Sequence, residues 1–320
     1  MNYIRQKKYS SMIESKSAIE TLLKAQEDFS SFFYDKHNMS SKDKEDMLKT
    51  LTLAMHYEVS EIISSCDFKV FDRSSYSVDK DKIIYNSIDV FRYLLAIMNL
   101  YDINADSFIR AFEERDVHLK LNNQVSLPKS DQKVIVVDID DVICDFRNHF
   151  NGWLYKTYKI EIDANSTSYY SSKEVKDHGY SPEVVFEEFI ANNELLSIPV
   201  INQMVEFLKL AANDNIYIQL LTSRPESNLK CKYQTYSWLH NNNIPFDNIG
   251  FAAEKYIWLA KKKFYLNGNL LAAIDDSPKH AMEYATHDIE VLVPKTAYNK
   301  DIQHKNITHF SLKEIEKYKF

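Results

Sequence analysis

The chain has 320 residues, 45% of them hydrophobic and 13% aromatic, which is enough for two folded domains with their own cores. Its net charge of −7, with lysines and arginines scattered, argues against a protein that binds duplex nucleic acid by neutralising phosphates. Three widely spaced cysteines indicate a reducing, cytoplasmic setting. The sequence shows no signal peptide and no apolar run of 18 residues, so we expect neither export nor a membrane span.

Residues 1 to about 121 have the pattern of a helical bundle. Apolar residues recur at three- and four-residue steps, as on one face of a helix, at Met47, Leu51, Ala54, Met55 and Ile62. A second apolar helix is predicted for residues 83–100 and a shorter one for 105–121. This half contains no glycine, which suits helices with few tight turns. We therefore predict an all-α domain over residues 1–125.

Three carboxylates lie near the apolar faces of two of these helices. Glu58 and Glu61 are three residues apart and share a helix face, and Asp89 has apolar residues on both flanks in the next helix. Buried carboxylates need a partner or a metal. The pattern therefore predicts that the three converge on Mg²⁺ and leave it open to phosphate oxygens.

Residues 15–121 resemble the all-α nucleotide pyrophosphohydrolases of the MazG and dimeric dUTPase group. The ExxE…ExxD signature of that group is matched by Glu58-Val-Ser-Glu61 and by Asn86-Ser-Ile-Asp89, with Asn86 in place of a glutamate. The change removes one negative charge from the metal site. The alternative is a structural or regulatory helical domain whose carboxylates are solvated.

The resemblance implies a nucleotide site, a Mg²⁺ ion and a homo-oligomer formed through the helical domain. Its implied side chains are Glu58, Glu61 and Asp89 around the metal, and Gln26 and Asn86 as contacts to the substrate. Segment 68–71, Phe-Lys-Val-Phe, also fits the surroundings of the motif.

A polar stretch at residues 121–133, with one proline, predicts a linker, and the second domain is expected at 126–320. Short β-rich runs follow it at 134–138, 216–221, 249–252, 270–274 and 290–293. Helix-length segments separate these runs, which predicts a Rossmann-like α/β domain with a parallel sheet.

Polar residues stand at the predicted carboxyl ends of these strands, where parallel α/β sheets bind ligands. They are Asp138, Asp140 and Asp141, then Thr222, Ser223 and Arg224, then Lys255, and last the pair Asp275-Asp276. Three aspartates within four positions repel one another, so something must offset their charge. Mg²⁺ prefers oxygen ligands, and Asp138, Asp275 and the backbone carbonyl of Asp140 could supply three.

This arrangement resembles the haloacid dehalogenase (HAD) superfamily of phosphohydrolases over residues 132–300. The resemblance implies that Asp138 is a nucleophile that forms an aspartyl-phosphate and that Asp140 acts as acid and base. It also implies that Thr222 and Lys255, with Lys261 as the alternative, hold the phosphoryl oxygens. Asp275 and Asp276 would bind Mg²⁺ together with Asp138 and Asp140. Asp141 stands where many members have glycine, and little damage is expected because its side chain can point away.

The motif and the aromatic residues after it are similar to those of 5′(3′)-deoxyribonucleotidases. A small helical cap is predicted at about residues 146–200, with Phe146, Phe150, Trp153, Tyr169 and Tyr170 available to stack on a base. The alternative for these aromatic residues is the core of the cap. Ser223 and Arg224 are predicted contacts to the substrate.

Together the two resemblances imply a bifunctional nucleotide hydrolase. The helical domain would cut a (deoxy)nucleoside triphosphate to the monophosphate and pyrophosphate, and the HAD domain would release the nucleoside, for instance to control a nucleotide pool in a phage or its host. Two alternatives are a HAD 5′-nucleotidase with an inactive helical oligomerisation domain, and a nucleotide-binding sensor.

Overall fold

The structure is a computed structural model that describes residues 2–65, 78–163, 173–262 and 269–318. It divides into two compact units, Met1–Glu113 and Glu114–Phe320. The division lies within a helix, before the predicted boundary at residues 125/126. The reason is local, since His118 packs on the rings of Tyr233 and Tyr236 of the second unit.

The first unit is helical, as predicted. Its described helices are α1 (Asn2–Ser30), α2 (Ser41–Ser64), α3 (Lys80–Leu100) and α4 (Ala105–Asn122), whose last turns belong to the second unit. A capping box starts α2: the Ser40 hydroxyl accepts from Asp43 N at 3.2 Å, and the Asp43 carboxylate accepts from Ser40 N at 3.0 Å. The segment 68–71 lies outside the described residues.

Helix α3 supplies most of the core of the helical unit. Leu95 and Met98 pack with Leu23 of α1, while Ala96 and Leu100 pack with Leu51 of α2. By length and composition alone α3 is apolar enough to cross a membrane. A core helix of a bundle has the same composition, and here α3 packs against α1 and α2.

The second unit is built on a six-stranded parallel sheet with the order β3-β2-β1-β4-β5-β6. Its strands are β1 (Val134–Val137), β2 (Tyr217–Thr222), β3 (Asn248–Phe251), β4 (Leu270–Ile274), β5 (Val291–Pro294) and β6 (Ile307–Phe310). Five of them are the predicted β-rich runs, and β6 was not predicted. It pairs only with β5, and half-exposed polar residues interrupt its pattern.

Seven helices accompany the sheet in the described part of the second unit. They are α5 (Phe146–Tyr158), α6 (Lys173–Asp177), α7 (Pro182–Ala191), α8 (Asn202–Asn213), α9 (Leu229–Asn241), α10 (Lys255–Lys261) and α11 (Pro278–Thr286). Helices α5 to α7 follow β1 and fall within the predicted cap.

The order of the strands determines where the candidate site lies. Strand β1 is buried along its whole length and lies between β2 and β4. The strand order runs from β1 through β2 to β3 on one side and from β4 to β6 on the other, so it reverses direction between β1 and β4. Such a switch point opens a crevice at the carboxyl ends of the strands. Val137 pairs with Leu220 and with Ile274, which sets Asp138 beside the ends of β2 and β4.

Candidate active site

Three carboxylates converge at the end of β1 and β4. Asp138, Asp275 and Asp276 are buried, and one oxygen from each lies within 4.8 Å of the others. Within the described ranges they are the only group of three or more acidic, histidine or cysteine residues arranged in this way. Carboxylate oxygens are the ligands that Mg²⁺ prefers, so the donor set fits the ion that the sequence predicts.

Lys255, the first residue of α10, binds two of these carboxylates. Its ammonium group lies 2.8 Å from Asp138 Oδ1 and 2.8 Å from Asp275 Oδ2, and its side chain is buried. The two carboxylates raise the pKa of Lys255 against the opposing effect of burial, which keeps it charged. The structure places Lys255 at the site, whereas Lys261 is exposed at the end of the same helix.

Asp138 is held from two sides. Its Oδ1 accepts a hydrogen bond from Ile139 N at 2.7 Å in addition to the contact with Lys255. Burial raises the pKa of Asp138 to about 6, although Lys255 acts in the opposite direction. A cation added to the cluster would lower that pKa and favour the ionised form that a nucleophile needs.

Asp140 forms a two-pronged ion pair with Arg224. Arg224 Nε lies 3.0 Å from Asp140 Oδ2 and Nη2 lies 2.7 Å from Oδ1, while Nη1 donates to Thr235 Oγ1 at 3.0 Å. Arg224 is buried, and its guanidinium binds Asp140 and Thr235, which fixes the orientation of the Asp140 carboxylate. Because Arg224 also lines the cavity described below, its contact with the substrate stays a prediction.

The end of β2 carries two hydroxyls. Thr222 is fully buried, and its Oγ1 accepts from Arg224 N at 3.2 Å. Ser223 Oγ lies 3.2 Å from His280 Nε2. Sequence reasoning missed His280, although it follows the Asp275-Asp276 pair closely. Burial, with the charge of Lys255 nearby, lowers the pKa of His280 to about 4, so this imidazole is neutral near pH 7.

The side chain of Asp141 stays beside the site, with its Oδ2 3.4 Å from the Tyr298 hydroxyl. The Asp141 φ of 55° lies in the left-handed region that favours glycine and is also open to aspartate. Its Oδ1 accepts from Arg147 N at 2.8 Å and so caps the start of α5, and its Oδ2 lies 3.7 Å from Arg147 Nε. Burial raises the pKa of Asp141 to about 7.

Asp276 is bound by a tyrosine that sequence reasoning also missed. Tyr298, in the loop after β5, donates its hydroxyl to Asp276 Oδ2 at 2.5 Å. Burial and the neighbouring aspartates raise the pKa of Asp276 well above its usual value. The pKa of Tyr298 is also raised, first by burial, so its hydroxyl keeps its proton and acts as a donor.

A cavity of about 470 Å³ lies beside Ser223 and Arg224. It is bounded by helix α7 of the cap and by the loops after β2 and β3, with Phe186, Ile190 and Phe251 among its apolar residues. Phe146 and Trp153 are not part of its lining. They are buried in the cap, where both rings contact Phe189 and Phe146 stacks on Phe150, so the structure supports the cap-core alternative. Tyr169 and Tyr170 lie outside the described residues.

The carboxylates of the helical unit are not gathered into a metal-binding group in the part of the chain that is described. Glu61 pairs with Lys82 at 3.0 Å, Glu58 is half-buried, and Asp89 is exposed. In the single chain these three side chains do not converge, because Glu61 pairs with Lys82 and Asp89 faces solvent. The metal site of the helices therefore stays a prediction. Asn86 is half-buried, and its Nδ2 has no hydrogen-bond partner among the described residues.

Gln26 and Asp89 do meet at one cavity, of about 410 Å³, in the helical unit. Gln26 is buried and accepts from Arg92 Nε at 3.1 Å through its Oε1. The Arg92 guanidinium lies 4.1 Å above the ring of Phe29, which also lines the cavity. An amide, an aromatic ring, a cation and a carboxylate therefore border the same space.

The second unit is thus an α/β domain with a parallel sheet and a group of carboxylate, hydroxyl and lysine side chains at its strand ends, and it is joined to a helical unit. The chain belongs to the dUTPase_2 family, because the family model for dUTPase matches residues 18–197, more than half of the chain. That match extends from the helical unit through β1 and into the cap. A search of curated proteins finds no match.

Solved structures similar to the chain include hydrolases and phosphatases, all at low sequence identity. A haloacid dehalogenase-like hydrolase from Streptococcus pneumoniae shares 13% identity over 59% of this chain and 99% of its own, with a TM-score of 0.40. A predicted phosphatase from Clostridium acetobutylicum shares 13% over 58% and 97%, with a TM-score of 0.43. YfnB from Bacillus subtilis, whose structure is bound to magnesium, shares 12% over 58% and 97%, with a TM-score of 0.42.

Proposed function

We propose that the α/β unit is a Mg²⁺-dependent phosphatase that removes the 5′-phosphate of nucleoside monophosphates. The observation that carries the proposal is the position of Asp138. It lies at the switch point of the sheet, bound to Lys255 and beside Asp275 and Asp276. A carboxylate next to a fixed cation and a set of metal-type ligands suits attack on a phosphoryl group.

The reaction uses the two aspartates in turn. The cycle starts with a proton on Asp140: an oxygen of Asp138 attacks phosphorus, the bond from phosphorus to the 5′ oxygen breaks, and Asp140 gives that oxygen its proton. Asp140 then takes a proton from water, which cleaves the aspartyl-phosphate, restores Asp138 and releases phosphate. Lys255 and the hydroxyl of Thr222 hold phosphoryl oxygens. When bound, Mg²⁺ supplies positive charge against the phosphoryl group.

The cavity beside Ser223 supports a nucleoside as the leaving group. Its apolar residues, Phe186, Ile190 and Phe251, offer surface to a base or sugar. Glu183, Glu187 and Glu226 also line it and would repel further phosphates. The cavity therefore favours a monophosphate over a triphosphate.

A second activity is supported by the family and by the cavity of the helical unit. We propose that this unit binds a deoxynucleoside triphosphate, with dUTP as the first to test, and releases the monophosphate and pyrophosphate with Mg²⁺. Gln26, Phe29 and Arg92 suit a base or phosphate, and Asp89 stands at the rim. Glu58 and Glu61 would complete the metal site once a nucleotide brings its own phosphate oxygens.

A homo-oligomer through the helical unit is part of the proposal. Large apolar side chains of α2 and α3 are solvent-exposed in the single chain, with Tyr57 63%, Ile63 65% and Tyr85 68% exposed. Such a face is typical of a surface that another subunit covers. A cytoplasmic enzyme that acts on free nucleotides, and on neither duplex nucleic acid nor membranes, fits the acidic composition.

Product analysis tests both activities. We expect the full-length protein with Mg²⁺ to release phosphate from nucleoside monophosphates and pyrophosphate from triphosphates, resolved by chromatography. Asp138→Asn should lower phosphate release by at least about a thousandfold while sparing pyrophosphate release. Glu61→Gln should do the reverse and serves as its matched control.

The outcomes separate the alternatives. Loss of both activities in folded Asp138→Asn protein would show that one site performs both steps. Phosphate release without pyrophosphate release would identify the helical unit as a scaffold. Binding of triphosphates without turnover would identify a sensor. Phosphate release that survives Asp138→Asn would overturn the phosphatase assignment.

A further inference from the structure

A cluster of side chains next to the carboxylate triad has no place in the reaction above. Tyr298 donates its hydroxyl to Asp276 Oδ2 at 2.5 Å, and the same hydroxyl lies 3.4 Å from Asp141 Oδ2. The Arg147 guanidinium lies 3.7 Å above the ring of Tyr298 and also faces Asp141. We call Asp141, Arg147 and Tyr298 the support cluster.

The loop that carries Tyr298 is itself fixed to the site. Asn299 is buried, and its Nδ2 lies 2.9 Å from Asp276 O and 2.9 Å from Pro294 O. The loop after β5 therefore holds both the backbone and the side chain of Asp276. This arrangement leaves Tyr298 little freedom to turn away from that carboxylate.

The hydroxyl of Tyr298 has one proton and two carboxylates near it. The shorter distance assigns that proton to Asp276, and Asp141 is served by Arg147 through its backbone N and its guanidinium. Arg147 thus offsets the charge of Asp141, which would otherwise repel Asp276, and its guanidinium lies over the tyrosine ring. Both effects keep the bond from Tyr298 to Asp276 in place.

Carboxylates that bind metals depend on neighbours that fix their orientation, and loss of such a neighbour weakens metal binding. We propose that Tyr298, supported by Arg147, is a positioning residue that orients Asp276 and thereby sets the affinity of the triad for Mg²⁺. One oxygen of Asp276 is bound by Tyr298, which leaves the other for the metal. The inference rests on the proposed metal-dependent phosphatase.

The test is the variant Tyr298→Phe in the full-length protein. Calorimetric titration with Mn²⁺ or Mg²⁺, without substrate, should show affinity at the triad lowered by about tenfold. The concentration of Mg²⁺ that gives half-maximal phosphate release should rise by the same factor. The kcat at saturating Mg²⁺ should stay within about threefold of the wild type, because Tyr298 does not touch the reacting atoms.

Tyr217→Phe is the matched control. Tyr217 is also a buried tyrosine of this unit, and its hydroxyl donates to Ser126 O at 2.5 Å, away from the carboxylates. Loss of that hydrogen bond should lower stability and leave metal affinity unchanged. If both variants lowered metal affinity equally, the effect of Tyr298 would be structural and the inference would fail.

A second variant covers the case in which Tyr298→Phe does not fold. Arg147→Lys keeps the charge beside Asp141 but loses the contact of the guanidinium with the ring, and should weaken metal binding by about threefold. Wild-type protein that binds no divalent metal would overturn the metal site itself. Metal binding by the wild type that neither variant changes would overturn this inference alone.

Discussion

Three protein cations form ion pairs with four of the five aspartates at the strand ends. Lys255 binds Asp138 and Asp275, Arg224 binds Asp140, and Arg147 binds Asp141, while Asp276 accepts from a neutral hydroxyl. With all five aspartates ionised, the three cations leave two negative charges. One Mg²⁺ ion would balance them. The repulsion among the five aspartates is therefore offset partly by protein cations and partly by the predicted metal.

The variant Arg224→Lys tests whether the two contacts from Arg224 to Asp140 fix the orientation of that carboxylate. Lysine keeps the charge but cannot contact both carboxylate oxygens and Thr235 at once. We expect kcat for phosphate release to fall by about tenfold and the free energy of unfolding to fall by about 1–3 kcal/mol. Steady-state kinetics and denaturant unfolding measure the two effects.

Lys232→Arg is the control for that experiment, because Lys232 pairs with the exposed carboxylate of Glu226. It should change neither quantity. An Arg224→Lys enzyme with normal kcat would show that Asp140 works without a fixed orientation.

Sequence reasoning found the residues that follow strands and missed those that reach the site from a distance. Asp138, Thr222 and Asp275 are visible because each follows a β-rich run at a predictable sheet edge. Tyr298 lies 157 residues from Asp141, in a loop without a motif. Only the packed structure shows such a pair, since periodicity and spacing carry no information about it.

At the level of elements, the five β-rich runs were predictable because buried parallel strands are continuous apolar segments. The edge strand β6 was not, because its half-exposed face breaks that pattern. The metal site predicted for the helices stays a prediction for a related reason. Helical spacing fixes a face, but only the packing of α2 on α3 decides whether that face is covered.

The contact between β3 and α10 gives a test of how the helix places Lys255. A Cβ at Gly250 would lie 2.6 Å from Trp258 Cζ2 and 2.9 Å from Leu221 Cδ1. Gly250→Ala should therefore push α10 away, lower the free energy of unfolding by about 1–3 kcal/mol and reduce phosphate release. Thermal unfolding and kinetics check both results.

Gly152→Ala is the matched control, because nothing lies within 4 Å of its added Cβ in α5. Alanine in an open helical position should raise the free energy of unfolding by about 0.5–1 kcal/mol. Equal effects of the two substitutions would mean that β3 and α10 adapt without strain.

At the scale of the whole molecule, Asn86 decides whether the helical unit holds metal by itself. Its amide can offer one oxygen but no charge, so the unit should bind Mg²⁺ weakly without nucleotide and well with it. Asn86→Glu should raise affinity in the free protein by about tenfold. Calorimetry in an Asp275→Asn background, with and without a non-cleavable dNTP analogue, would report on the helical unit separately.

Asn38→Glu is the control for added charge, since Asn38 is exposed in the same unit. It should leave metal affinity unchanged. If the unit binds neither metal nor nucleotide even with glutamate at position 86, it is a scaffold and the two-step function fails.

The stability of the metal-free protein should depend on pH through the buried aspartates. In the folded state the pKa is about 6 for Asp138 and about 7 for Asp141, both above the ordinary value for aspartate, so folding favours their protonated forms. This stabilisation is complete below about pH 4, where the unfolded chain is also protonated, and is lost as the pH rises through 6 and 7.

Metal should reverse that trend, because it binds ionised carboxylates. We expect the Tm in EDTA to fall between about pH 5 and about pH 8, and the increase in Tm caused by Mg²⁺ to be larger at about pH 8. Asp141→Asn should flatten the fall of the Tm with pH in EDTA. The control Asp131→Asn, at an exposed position, should leave that fall unchanged. Calorimetric melts at each pH measure both effects. A Tm in EDTA that rises with pH over this range would contradict the prediction, since it would mean that the stability gained as His280 (folded pKa about 4) loses its proton in the unfolded chain outweighs the stability lost at the buried aspartates.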